Sequence, residues 1–124
     1  MKHAFRHSKN RRTEMLKIDN NNNIFLTRGD TLTLTVGLTK DGETYVPEAG
    51  DVIRFALSKG YETEFGYELI LTETIPNDTL TFTLTSTQTQ LAYRAYNYDI
   101  QVTHSDGCVD TFISAKLTIT GEVE

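Results

Sequence analysis

The side chains that could carry chemistry are few. His104 stands among Ser105, Asp106 and Cys108, so a histidine, a carboxylate and two nucleophilic atoms fall close together in the chain. A hydrolytic or acyl-transfer site needs its nucleophile within hydrogen-bond reach of a base that a third group orients. Asp106-Gly107 reads as a hairpin turn, however, and neighbouring positions on a hairpin point in different directions, so these residues are expected to serve the turn. Asp99, between Tyr98 and Ile100, reads as an outward, solvated carboxylate. His3 and His7 are four apart, which on a helix would put both on one face, but two ligands without a carboxylate partner make a poor metal site. The sequence has no phosphate-binding glycine loop, no His-Glu-x-x-His and no Cys-x-x-Cys. Arg28-Gly29-Asp30 spells an integrin-binding tripeptide, but it also makes a turn into a strand, and the turn is the expected role. Cys108 is the single cysteine, so an internal disulfide is excluded, and the residue reads as a small side chain tolerated in a reducing cytosol. The expectation is a non-enzymatic chain without catalytic residues, cofactor or metal.

The elements that would position such residues are strands. Threonine supplies 20 of the 124 residues, tryptophan is absent and there are two prolines. Leu32, Leu34, Val36 and Leu38 alternate with Thr31, Thr33, Thr35 and Thr39, giving one apolar and one hydroxyl face. The same period of two runs through Ile53, Phe55 and Leu57; through Tyr67, Leu69 and Leu71; through Leu80, Phe82 and Leu84; and through Tyr96, Tyr98, Ile100 and Val102. The last run places Val109, Ile113, Leu117 and Ile119 on one parity. Shorter candidates lie at 24–27 and 44–46. Asp41-Gly42 and Asp106-Gly107 are hairpin signals, and 86–91 suggests a single helical turn crossing between sheets. Short strands at this spacing predict an all-β, immunoglobulin-like two-layer antiparallel β-sandwich over 18–124. No apolar run approaches the ~20 residues of a membrane helix.

Charge divides the chain differently. Residues 1–14 hold five Lys/Arg against Glu14, a balance of +4, whereas 15–124 hold seven Lys/Arg and 16 Asp/Glu, a balance of −9. Residues 1–17 are accordingly read as a basic arm, mobile or at most marginally helical in the isolated protein, because it has no apolar stripe to offset the entropy of ordering. If it orders, the expected cause is a neighbouring acidic body. Met15 opens a segment that resembles a natural start, and Arg11-Arg12 could be encoded by a ribosome-binding AGG-AGG, so both Met1 and Met15 stand as starts. The arm is the one feature of the kind that nucleic-acid contact uses; neither nucleic acid nor membrane is assigned as a partner.

Two aromatic groups stand out. Tyr61, Phe65 and Tyr67 lie in a glycine-bounded segment, 60–67, read as a candidate interaction loop. Tyr96 and Tyr98, after a crossover, resemble a structural tyrosine corner, in which a tyrosine near a strand start hydrogen-bonds back across the connection.

In order along the chain, Gly29-Asp30-Thr31 leads into an alternating strand, Ile53-Arg54-Phe55 forms the next, Tyr96-Asn97-Tyr98-Asp99-Ile100 a later one, and Asp106-Gly107 turns into a closing strand that ends near Ile119. This series resembles small structural proteins of phages and prophages of Gram-positive bacteria, similar to the N-terminal domain of phage upper baseplate proteins. The resemblance implies a virion protein, made in the host cytoplasm and present in multiple copies or as a homo-oligomer, that docks on other virion structural proteins of the tail or baseplate. A capsid-decoration or head-fibre-like role is an alternative, as is a carbohydrate or cell-surface binding module using 60–67. The chain ends at Glu124 with no coiled coil or receptor-binding module following, which favours an adaptor over a fibre.

Overall fold

The computed structural model describes residues 3–7, 17–19, 21–63 and 66–121. Among these residues ten strands run in chain order: β1 (His3–His7), β2 (Lys17–Ile18), β3 (Ile24–Thr27), β4 (Leu32–Lys40), β5 (Glu43–Thr44), β6 (Val52–Thr63), β7 (Gly66–Ile75), β8 (Thr81–Leu84), β9 (Arg94–Thr103) and β10 (Val109–Thr120). The chain is all-β, and no helix occurs among the described residues. Six strands form one sheet in the order β2-β3-β10-β9-β6-β7; in the smaller sheet β1, β5 and β8 all pair with β4.

The alternation of β4 lies behind the two layers. Leu32, Leu34, Val36 and Leu38 are buried, while the intervening threonines and Gly37 form the other face. Ile53, Phe55 and Leu57 of β6 and Tyr96, Tyr98, Ile100 and Val102 of β9 meet them in one core. Phe55 is the aromatic bridge: its ring lies 5.0 Å from Phe82 of the smaller sheet and 5.4 Å from Tyr98 of its own. On the outer side of the smaller sheet, hydroxyls pair across strands, Thr33 with Thr83 at 3.0 Å and Thr35 with Thr81 at 2.8 Å. These two threonine pairs thus satisfy each other's hydroxyls across the strands.

Turn chemistry follows the sequence closely. Asp41 and Gly42 both have positive φ, as a two-residue hairpin turn requires. At the β9–β10 hairpin the loop has three residues, with Gly107 alone left-handed and its amide donating to the His104 carbonyl at 2.8 Å. The expected turn at 86–91 is a capping box: the Thr85 amide donates to Gln88 Oε1 at 2.8 Å, and the Gln88 amide donates to Thr85 Oγ1 at 3.2 Å. Asn21 and Asn23 are held by Asp19, whose carboxylate accepts both backbone amides. Asn22 is left-handed there, and its carbonyl accepts the buried Tyr98 hydroxyl.

Three expectations change. The sandwich is not wholly antiparallel, because β3 runs parallel to β10; the whole intervening chain serves as the crossover that a parallel pair needs. Val109 does not join Ile113 inside. The β9–β10 register shifts between Thr111 and Ile113, so Phe112 is an extra residue, both Phe112 and Ile113 are buried, and the parity before the bulge is reversed. Leu69 is likewise exposed, beyond a register shift opposite Leu57 and Ser58. In the N-terminal segment two short strands are described. His3–His7 pairs antiparallel with β4, from His3 opposite Leu38 to His7 opposite Leu34, and Lys17–Ile18 pairs with β3. Backbone pairing with an existing strand edge needs no apolar stripe, which is why composition concealed it.

Tyr98→Phe should leave the Asn22 carbonyl buried without its donor and lower unfolding stability by about 1–3 kcal/mol, read from urea midpoints at unchanged m-value.

Candidate functional site

One cross-strand line assembles the main cluster of titratable groups. Val52, Thr103 and Val109 are register partners on β6, β9 and β10. Asp51 precedes the first of them, His104 follows the second and Asp110 follows the third. Adjacent positions in a strand face opposite sides, so while Val52 and Val109 are exposed, these three neighbours converge at one end of the sandwich. His104 Nδ1 lies 3.0 Å from Asp51 Oδ1, and its Nε2 lies 2.9 Å from Asp110 Oδ2. Tyr45, just past β5, reaches across from the smaller sheet and donates its hydroxyl to Asp51 Oδ2 at 2.5 Å. Its ring sits 5.0 Å from Phe112, so the bulge that turns Phe112 inward also seats the tyrosine. Lys40 completes the set, 3.3 Å from Asp110.

The electrostatics are those of a clasp. Ionised carboxylates only accept, so two of them on one imidazole favour the doubly protonated ring. Asp110, then Asp51, hold the His104 pKa above its usual value. The Tyr45 hydroxyl, with the Glu48 amide and His104, holds Asp51 below the ordinary carboxylate range, and His104 with Lys40 does the same for Asp110. Burial, then the Asp51 hydrogen bond, pushes the Tyr45 phenol up. A histidine with both nitrogens engaged has no free lone pair with which to activate a nucleophile. Ser105 is exposed and packs its Cβ where a side chain on Gly50 would go, at 3.1 Å. Cys108 is also exposed, and Asp106 raises its pKa, which lowers thiolate content and reactivity at neutral pH.

The other sequence candidates fall elsewhere. Tyr96 donates to the Ala92 carbonyl at 2.9 Å, the geometry of a tyrosine corner, while Tyr98 reaches Asn22 instead. Asp99 lies on the outer face of the larger sheet, where burial raises its pKa. Asp30 is 9% exposed, in a turn where Gly29 has φ 82° and Thr89 donates to the Asp30 carbonyl, so Arg28-Gly29-Asp30 is a structural bend. His3 and His7 lie at the two ends of a strand, where four residues span about 13 Å, too far for one ion. Among the described residues, no group of three His, Cys, Asp or Glu is placed to hold a metal, and no helix is long and apolar enough to cross a membrane.

The segment 60–67 includes the paired ends of two strands. Tyr61 belongs to β6, Tyr67 to β7, and Phe65 lies outside the described residues. β6 is last paired with β9 at Ser58, whereas its pairing with β7 continues to Thr63 opposite Gly66, so the two strands run on as a ribbon past the sheet. A further groove, about 350 Å³, opens beside β4 between Leu80 and Tyr45. Tyr45, Asp51 and Asp110 carry no signal in the sequence because only strand register brings them to His104. Comparison with protein-family models gives no match, and neither does a search of curated proteins.

The His104 contribution to stability should be full below pH ~6.5 and lost as pH rises through its raised folded value. The Asp51 and Asp110 contributions should be present above pH ~3.9 and lost in acid. Urea unfolding from pH 4 to 9 should therefore show a stability decline on the alkaline side that is absent in His104→Gln.

Proposed function

We propose that this chain is a non-enzymatic structural protein of a phage particle, an adaptor of tail or baseplate type that docks on other virion proteins through an immunoglobulin-like domain. The observation that carries the reading is the ordered series of framework segments. The Gly29-Asp30-Thr31 bend, the Ile53-Arg54-Phe55 and Tyr96 to Ile100 strands and the Asp106-Gly107 hairpin occur in the order and spacing of the proteins this sequence resembles. Each has a structural task in the sandwich: a bend, two core-facing strands and a turn. Support for the finer fold comes from the tyrosine-corner bond of Tyr96 at the β8–β9 crossover between sheets. The clasp around His104 supports a mechanical role, since it ties the ends of β4, β6, β9 and β10 together and leaves its imidazole engaged on both sides. Mass spectrometry of purified particles should find the protein at a fixed ratio to the other virion proteins; its absence from particles would overturn the proposal.

The β6–β7 ribbon favours a second reading, a carbohydrate or cell-surface binding module, because Tyr61 and Tyr67 belong to its two strands and Phe65 falls between them in the sequence. Changing Tyr61 and Phe65 together to alanine should abolish cell binding at unchanged melting temperature. An unaltered binding isotherm would remove this reading and leave the adaptor.

A further inference from the structure

We infer that β1 is an exchangeable strand: in an assembly, residues 3–7 of one copy pair with β4 of a neighbouring copy, in the register they hold within one chain. The argument begins with the edges of β4. The Val36 amide donates to the Leu80 carbonyl and the Leu38 carbonyl accepts from Tyr45, so Leu34, Val36 and Leu38 direct their backbone groups toward β8 and β5. Alternate residues in a strand direct theirs to the opposite edge, so those of Thr33, Thr35, Gly37 and Thr39 face the β1 side. Without β1 this row would form an open edge beside the buried Leu34, Val36 and Leu38, the kind of edge that recruits a strand from elsewhere.

The strand that fills it is loosely attached. Among the described residues β1 pairs with β4 alone, and nine residues, 8–16, separate it from β2 in the sequence. Residues 8–14 are all polar or charged. Nine extended residues reach about 30 Å, far enough for the β4 edge of a copy packed alongside. Exchange keeps every β1–β4 hydrogen bond and replaces only the intramolecular tether, which for a short linker corresponds to a millimolar effective concentration that a crowded lattice matches. Charge selects the occupant: an arm of +4 meets a body of −9 on any second copy. The inference concerns the strand pair and goes beyond the phage reading, so the two can fail separately.

The test uses the full chain with Cys108→Ser as background. One copy carries Arg6→Cys, and a second copy, with a tag of different mass, carries Thr35→Cys; the two positions are register partners, at the separation a disulfide spans. The copies are mixed at about 1 mM, the effective concentration of the tether, unfolded, refolded together at that concentration, oxidised and run on a non-reducing gel. The expected product is a cross-linked species containing both tags, its yield falling as salt is added before oxidation. Light scattering should show an oligomer for the full chain and a monomer after deletion of 1–14. The inference is overturned if the single variants never cross-link while the double variant closes within one chain, if the double variant does not close at all, or if deletion leaves the oligomer intact. Exchange in the purified protein without incorporation into particles would remove the phage assignment alone; incorporation without exchange would remove this inference alone.

Discussion

The smaller sheet depends on β4, because β1, β5 and β8 each pair with it and not with one another. Eight residues of alternating Leu/Val and Thr/Gly, Leu32 to Thr39, therefore do three things at once. Their apolar side chains enter the core, the hydroxyls of Thr33 and Thr35 pair with Thr83 and Thr81 on β8, and their two backbone edges hold the strands on either side. A slip of one residue would expose the leucines and bury the threonines, so burial of the leucines locks the register. The sheet is narrow enough that losing one partner of β4 exposes a row of backbone groups next to the core.

A single inserted residue organises the other end of the molecule. The bulge at Phe112 reverses the parity of β10, which leaves Val109 outside and brings Asp110 toward His104. Phe112 itself turns inward and supports the Tyr45 ring, and Tyr45 hydrogen-bonds Asp51. Loop ends that would otherwise be joined only by covalent connections are thus held by hydrogen bonds between carboxylates and a partly buried imidazole. The clasp joins β4 and the ends of β6, β9 and β10.

What could be read in the sequence follows from how local each feature is. The alternation of Leu32 to Leu38, the left-handed Asp41-Gly42 turn and the Tyr96 bond to Ala92 involve residues close together in the chain, and all three are legible from residue order alone. The parallel β3–β10 pair, the exposure of Val109 and Leu69 and the His104 clasp depend on register between distant strands, and a bulge that changes register leaves no mark in composition. Pairing of His3–His7 with β4 is hidden for a related reason: backbone hydrogen bonding is nearly independent of side-chain type. The segment 60–67 reads as a loop because its glycines suggest turns, whereas β6 and β7 continue through most of it.

Amide hydrogen exchange on β4 tests most directly whether the N-terminal strand completes the smaller sheet. The amides of Thr35 and Gly37 face β1, and those of Leu34 and Val36 face the β8 side. In the full chain all four should be protected; after removal of residues 1–14, Thr35 and Gly37 should exchange rapidly while Leu34 and Val36 keep their protection. Rapid exchange at Thr35 and Gly37 in the full chain, or unchanged protection there after the deletion, would contradict the account.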